Sequence, residues 1–162
     1  LGVHPLNVFQ AKPHPSWYGI AKEEKKKVVI LGCGWSGFAV ANHINRELYE
    51  VVLVSPRNHF LFTPLLASTT TGTLEFRCIT EPIRHLDNIA YHQSRCMEIE
   101  EERNELILRD SFDTDNVYRV RYDYLVYAVG AQPNDFGIAG VKQHTFFLKQ
   151  IRDAMAIRDR IS

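Results

Sequence analysis

The sequence predicts an α/β fold that is built on a parallel β-sheet. Val28–Leu31 is a short, continuous apolar run, which is typical of a strand buried on both faces. A glycine-rich turn, Gly32–Gly37, follows it at once, and a second run of this kind, Val51–Val54, comes after a helical segment. This order of elements implies a right-handed crossover, so the two strands are predicted to be parallel.

The remaining elements extend this unit along the chain. The crossover helix is predicted over Phe38–Ile44. Next come a short helix over Glu81–Leu86 that is opened by Pro82, and a third parallel strand over Ile89–Gln93. An antiparallel meander is predicted from Cys96–Ile99, Glu105–Leu108 and Tyr118–Tyr122. A buried strand over Leu125–Val129 and an amphipathic helix over Phe146–Ile161 complete the prediction.

Two regions are predicted, an extended N-terminal arm over residues 1–27 and one domain over residues 28–162. The arm carries helix-breaking residues, Pro5, Pro13, Pro15 and Gly19, and ends in a charged run that leads into the first strand. A membrane-surface role for the lysines of that run is an alternative, which Glu23 and Glu24 weaken. No apolar run approaches the roughly 18 residues of a membrane-spanning helix.

Charge and cysteine content narrow the function classes. Nineteen basic and nineteen acidic residues give a net charge of zero, so electrostatics offer no reason to expect nucleic acid as a partner. The three cysteines, Cys33, Cys78 and Cys96, are odd in number and far apart. This spacing predicts neither a zinc site nor a disulfide framework.

The glycine-rich turn indicates a dinucleotide. Gly32 permits the tight turn, Gly34 allows a pyrophosphate to approach the backbone, and Gly37 allows the helix to pack on the sheet. The amino end of the helix offers unpaired N–H groups and a partial positive charge to the phosphates. The alternative is a purely structural glycine turn that binds no ligand, and the strands predicted on both sides disfavour it.

The residues at the end of the second predicted strand do not decide which cofactor is bound. A carboxylate that accepts hydrogen bonds from a ribose is common there, but this chain has Ser55, Pro56 and Arg57. Arg57 could accommodate the 2′-phosphate of NADP. Alternatively, Ser55 bonds the ribose of FAD and Arg57 lies along the adenosine. The spacing of residues does not decide between these two cofactors.

Three separate segments resemble, in the same order, the alternative or type II NADH:quinone oxidoreductases of mitochondria. They are VVLVSPRNHFLFTPLLASTTTGTLEFRCITEPIR (residues 51–84), YDYLVYAVGAQPNDFGIAGV (122–141) and FFLKQIRDAMAIRDRI (146–161). The resemblance covers residues 27–162 and includes Ser55-Pro56-Arg57, where bacterial members usually have an acid. It implies a Rossmann-like FAD-binding domain, with NADH bound by a second domain that this chain lacks.

The same resemblance implies roles for individual residues. FAD would lie on the turn, with Ser55, Pro56 and Arg57 near its adenosine and Thr63 and Pro64 beside the isoalloxazine ring. The turn residues are Gly32, Gly34, Trp35, Ser36 and Gly37. The backbone of Ala128, Val129, Gly130 and Ala131 would pass close to the cofactor, and main-chain atoms around Arg95 and Cys96 would touch adenine. Trp35 has packing as its alternative role, and so does the apolar run of Phe60, Leu61, Phe62, Leu65 and Leu66.

The implied chemistry is electron transfer from NADH through FAD to quinone, without a catalytic acid, base or nucleophile. Related disulfide reductases place a CxxxxC pair after the first βαβ unit, whereas this chain has LFTPLL. A sulfide:quinone oxidoreductase would need reactive cysteines at the flavin, which these contexts do not favour. A lone histidine on a loop is more often structural than catalytic, so no catalytic role is expected for His59.

The chain ends before a second glycine-rich turn. We therefore expect it to be part of a longer enzyme and to be inactive alone. The resemblance implies a protein of the mitochondrial inner membrane, attached peripherally through a C-terminal region, and it allows a homodimer. The alternative is a short, non-catalytic FAD-binding or structural subunit of a respiratory assembly. Reading the natural gene beyond Ser162 separates the two, because a stop codon there excludes the first.

Overall fold

A computed structural model describes residues 24–161 and has a mixed α/β architecture. The strands are β1 (Lys26–Leu31), β2 (Tyr49–Val54), β3 (His59–Leu61), β4 (Thr80–Pro82), β5 (Ala90–His92), β6 (Ser94–Glu100), β7 (Glu105–Asp110), β8 (Val117–Arg121) and β9 (Tyr124–Tyr127). The α-helices are α1 (Trp35–His43), α2 (Leu66–Thr70), α3 (Val141–His144) and α4 (Ile151–Ile161). The predicted arm lies outside the described residues except at its end, where Lys26 and Lys27 already belong to β1.

The central sheet has four parallel strands in the order β5-β2-β1-β9. Its inner strands β1 and β2 are fully buried over Val28–Leu31 and Val51–Val54, which confirms the two predicted apolar strands. One face packs against α1, whose Ala41 is inaccessible to solvent. The predicted parallel strand before the meander is also confirmed, as β5.

The other face of the parallel sheet is covered by the antiparallel meander β6-β7-β8. Leu106 and Leu108 of β7 are completely buried, and they share one core cluster with Val29 and Val52 of the parallel sheet. The predicted meander is therefore confirmed as a second layer. Between α1 on one face and the meander on the other, the inner strands β1 and β2 are buried on both faces, which explains their continuous apolar runs.

Four predicted boundaries or elements are wrong. The region predicted as a helix over Glu81–Leu86 contains β4 and a 3₁₀ turn over Ile83–His85. The first helix begins at Trp35 rather than Phe38, and the last begins at Ile151 rather than Phe146. The last strand of the sheet ends at Tyr127, so Val129 lies outside it.

The two-stranded antiparallel sheet β3-β4 was not predicted and neither was α2. They share a third core cluster with α4, in which Leu61, Leu66, Ile79 and Ala154 are buried. Contacts of Trp35 with Phe60 and Phe62 place the start of the segment between β3 and α2 close to the glycine-rich turn. Among residues 24–161, no helix has the length and apolar character that crossing a membrane requires.

Candidate functional site

The glycine-rich turn between β1 and α1 packs tightly against the end of β9. Gly32 has a φ of 111°, and a Cβ added there would lie 2.3 Å from the carbonyl oxygen of Ala128. A Cβ on Gly37 would lie only 1.9 Å from the carbonyl oxygen of Gly32. Both positions therefore require glycine because backbone atoms occupy the space of a side chain.

Gly34 has a different environment. Its backbone angles, φ −77° and ψ −165°, are accessible to any residue. The nearest atom to an added Cβ is a guanidinium nitrogen of Arg57, at 4.0 Å. Packing within the described residues thus gives no reason for glycine here. The open space suits a group that approaches the backbone from outside, which is what a pyrophosphate does.

This open space lies at the amino end of α1. The helix has no side-chain cap and no acidic residue in its first turn, so its first N–H groups have no capping acceptor among the described side chains. Arg57 adds a positive charge next to Gly34. The turn, the helix end and the guanidinium thus bring together groups of the kind that bind anions.

Trp35 links the turn to the segment after β3. Its indole N–H donates a hydrogen bond of 3.0 Å to the hydroxyl of Thr63. Its ring contacts Phe60 edge-on, with centroids 5.0 Å apart, and Phe62 at 5.1 Å. Half of the Trp35 surface stays exposed. Trp35 therefore packs on one side and is open to a ligand on the other, as is Ser36, which is exposed beside it.

Replacing Trp35 with phenylalanine removes the donor while an aromatic ring remains. In the full-length natural protein we expect the free energy of unfolding to fall by about 1 kcal/mol, the usual net contribution of one hydrogen bond. Thr63→Val is the matched variant, and chemical denaturation of both and of the double variant measures their coupling. Strictly additive losses would contradict a Trp35–Thr63 hydrogen bond.

The loop after β2 is hydrogen bonded to the glycine-rich turn on its buried side. The Ser55 side chain is 2% exposed, and its hydroxyl donates to the Cys33 sulfur at 3.0 Å and accepts the Arg57 N–H at 3.1 Å. The prediction that the Ser55 hydroxyl bonds a ribose does not fit this placement, because the hydroxyl faces the interior. Pro56 is exposed and Arg57 is half-buried at the surface of the loop.

Two further side chains hold the same loop. The Cys33 thiol lies 3.2 Å from the carbonyl oxygen of His59 and 3.4 Å from that of Arg57. The Tyr91 hydroxyl lies 3.1 Å from the carbonyl oxygen of Ser55 and 3.0 Å from that of Arg57. Burial raises the pKa of Tyr91, and the neighbouring Cys33 adds to the effect, so the hydroxyl remains a donor. Sequence reasoning assigned no role to Cys33 or Tyr91.

His59 ends this loop and is the first residue of β3. Burial lowers its pKa, and the positive charge of Arg57 lowers it further, so the ring is mainly neutral near pH 7. Its Nδ1 lies 2.9 Å from the Asn58 side-chain oxygen. This local pairing agrees with the expectation that His59 has a structural role.

The other predicted site residues are placed as follows. Thr63 and Pro64 lie in an exposed 3₁₀ turn. Ala128 is buried beside Gly32, whereas Val129, Gly130 and Ala131 are exposed, and the Lys149 ammonium donates to the Ala131 carbonyl. Cys96 lies in β6, where it packs into the core between the two sheets and burial raises the pKa of its thiol. The structure thus gathers the turn, Arg57, Thr63 and Ala128 around one region.

The family model of the pyridine nucleotide-disulphide oxidoreductases matches residues 26–162. The chain belongs to this family. Its three cysteines, Cys33, Cys78 and Cys96, form no disulfide, and Phe62-Thr63-Pro64 follows β3.

The relatives agree with the resemblance seen in the sequence. The chain is 44% identical to the external alternative NAD(P)H-ubiquinone oxidoreductase B4 of Arabidopsis thaliana mitochondria, over 85% of this chain and 25% of that protein. It is 41% identical to a probable NADH dehydrogenase of Dictyostelium discoideum, over 85% of this chain and 31% of that protein. It therefore spans about a quarter to a third of the length of these relatives.

Solved structures agree with the fold. NDH2 from Plasmodium falciparum in complex with NADH is 40% identical, with a TM-score of 0.77 over 83% of this chain and 28% of that one. The sulfide:quinone oxidoreductase of Aquifex aeolicus superposes with a TM-score of 0.72 at 24% identity, which speaks for the fold alone. The predicted fold class is confirmed, and so is the similarity to type II NADH dehydrogenases over their N-terminal part.

Proposed function

We propose that this chain forms the N-terminal half of an FAD cradle in a flavoprotein that transfers electrons from NADH to quinone. The observation that carries the proposal is the open space at Gly34, between the uncapped start of α1 and the Arg57 guanidinium. The helix N–H groups and the Arg57 guanidinium suit the negative charge of a diphosphate. The 40% identity to NDH2 in complex with NADH, at matching fold, supports a respiratory dehydrogenase over other flavoproteins.

Different residues of the site would contact different parts of FAD. The turn from Gly32 to Gly37 would bind the pyrophosphate through backbone N–H groups, with Arg57 as a neighbouring positive charge. Thr63 and Pro64 would lie beside the isoalloxazine ring, and Ala128–Ala131 would present backbone to it. Pro56 and the main chain around Cys96 are assigned to the adenosine end, where Ser55 acts from the interior by ordering the loop.

Bound FAD supplies the redox chemistry, because it can accept a hydride and pass on electrons. This chain's own residues bind and orient the cofactor and exclude water from the buried side of the turn. No acid, base or nucleophile of the chain is assigned to the reaction. A nicotinamide nucleotide on the first turn, with Arg57 as a clamp for a 2′-phosphate, is the competing assignment.

The substrates and setting follow the relatives. NADH, and ubiquinone or a similar quinone, are the proposed substrates, since the relatives' names give NAD(P)H and ubiquinone. We place the full-length protein at the mitochondrial inner membrane because several relatives are mitochondrial. Peripheral attachment through a region outside this chain and assembly as a homodimer belong to the same proposal.

The proposal is tested by the visible spectrum of the full-length natural protein under anaerobic conditions. We expect a flavin band that NADH bleaches and that added quinone restores. Tight binding of NADP without a flavin band would overturn the assignment of the turn to FAD. A flavin band that NADH leaves unchanged would favour a non-catalytic FAD-binding subunit instead.

A further inference from the structure

The loop that carries Arg57 is fixed by side chains from two separate elements. Cys33 belongs to the glycine-rich turn itself, and Tyr91 belongs to β5 at the edge of the parallel sheet. Each contacts the Arg57 carbonyl oxygen and one further carbonyl of the loop. The Ser55 hydroxyl closes the network, because it bonds the Cys33 sulfur and the Arg57 N–H together.

We propose that Cys33 and Tyr91 are positioning residues that hold the Ser55–His59 loop so that the Arg57 guanidinium stands beside Gly34. They thereby set the affinity for the diphosphate and adenosine portion of the cofactor. This inference rests on the proposed function and deepens it, because it names the residues that fix the position of the Arg57 guanidinium in the same site.

The geometry explains why these contacts direct a side chain that they do not touch. Both the N–H and the C=O of Arg57 are occupied, by Ser55 and by Cys33 and Tyr91, so the backbone of Arg57 has little freedom. The guanidinium starts from this fixed backbone and reaches to within 4.0 Å of where a Gly34 Cβ would stand. Cys33 also directly precedes Gly34, so its contacts connect the loop to the turn.

The donors suit this task. Cys33 is 1% exposed and Tyr91 is half-buried, so water has limited access to both groups. Removing a donor costs a partly buried carbonyl oxygen one of its partners, and the penalty can exceed what the hydrogen bond itself contributes. Burial raises the pKa of Tyr91, which keeps its proton available to the two carbonyls at any physiological pH.

Tyr91→Phe is the decisive variant, because it removes one oxygen atom and keeps the ring. In the full-length natural protein we expect FAD, titrated into the apoprotein, to bind about 10-fold more weakly. Tyr49→Phe is the matched control. Tyr49 is also partly buried in the parallel sheet, but it begins β2, at the end of the sheet away from the glycine-rich turn, and its ring contacts Tyr124. The control should bind FAD within about 2-fold of the parent.

A double-mutant cycle separates positioning from general stability. Arg57→Ala alone should weaken FAD about 10- to 100-fold, as the loss of a charge-assisted contact does. If Tyr91 acts through Arg57, adding Tyr91→Phe to Arg57→Ala should change the affinity less than about 2-fold. Equal losses in both backgrounds would overturn the inference, and so would unchanged FAD binding in the Tyr91→Phe protein.

A second pair of variants, at Cys33, tests the same inference if the Tyr91→Phe protein does not fold. Cys33→Ala should behave in the same cycle as Tyr91→Phe, and Cys33→Ser, which keeps a donor and an acceptor, should restore most of the affinity. Additive behaviour of Cys33→Ala and Arg57→Ala would again contradict positioning. A parent protein that holds no FAD is a different result, because it rejects the proposed function itself.

Discussion

Replacing Gly37 with alanine is expected to destabilise the protein by about 3 kcal/mol or more, the upper range for forcing extra atoms into a packed interior. The added Cβ would lie 1.9 Å from the Gly32 carbonyl oxygen and 3.4 Å from the Ala128 side chain. The first of these is a backbone atom in the same turn, so relief requires that α1 move away from β1. Alanine favours a helix by about 1 kcal/mol over glycine, which is too little to offset the overlap.

Denaturant unfolding of the full-length natural apoprotein measures this effect. Gly34→Ala is the matched control, because it adds the same methyl group three residues earlier, where the nearest atom is 4.0 Å away. The two variants should therefore differ greatly in unfolding midpoint. Equal midpoints for Gly37→Ala and the parent would mean that the helix does not approach the turn as closely as the structure has it.

The parallel core could be predicted from the sequence because its signal is local. Val28–Leu31 and Val51–Val54 are buried on both faces, so every residue in each run is apolar. The meander was predictable for a similar reason, since polar turns separate its strands. Elements whose burial depends on distant partners carried no such signal, and α2, which packs on α4, is the example.

The errors have identifiable physical causes. Pro82 suggested the start of a helix, but proline is also accepted at the edge of a two-stranded sheet, which is where β4 places it. The final helix begins late because the Asp153 carboxylate accepts the backbone N–H groups of Lys149 and Gln150. This acceptor fixes the start of α4 near Ile151, although Phe147 lies at helical spacing.

The site was predictable in its glycines and not in its supporting contacts. Gly32 and Gly37 have roles that follow from the turn alone. Ser55 was expected at a ribose because its position in sequence is the usual one, yet its hydroxyl turns inward to Cys33 across 22 residues. Tyr91 reaches the same loop across 36 residues. Such pairings depend on which strands are neighbours in the sheet, and no short motif encodes them.

Gly34→Ala is expected to leave the fold intact and to weaken FAD binding about 100-fold, which corresponds to about 3 kcal/mol. The backbone angles of Gly34 suit alanine, and the described residues leave room for the methyl group. That room is where the pyrophosphate would approach the amino end of α1. A methyl group there would hold the phosphates away from the N–H groups of the helix. Their hydrogen bonds to the phosphates would then be weakened or lost.

The flavin content of the purified full-length variant and a titration of its apoprotein with FAD give the measurement. Unfolding of the apoprotein serves as the control, and it should match that of the parent because the loss concerns the ligand alone. Parental affinity in Gly34→Ala would contradict a cofactor on this turn. A loss of both stability and affinity would indicate that Gly34 is required by the fold. Binding loss without a change in apoprotein stability is the result that separates a cofactor contact at Gly34 from the packing requirement at Gly37.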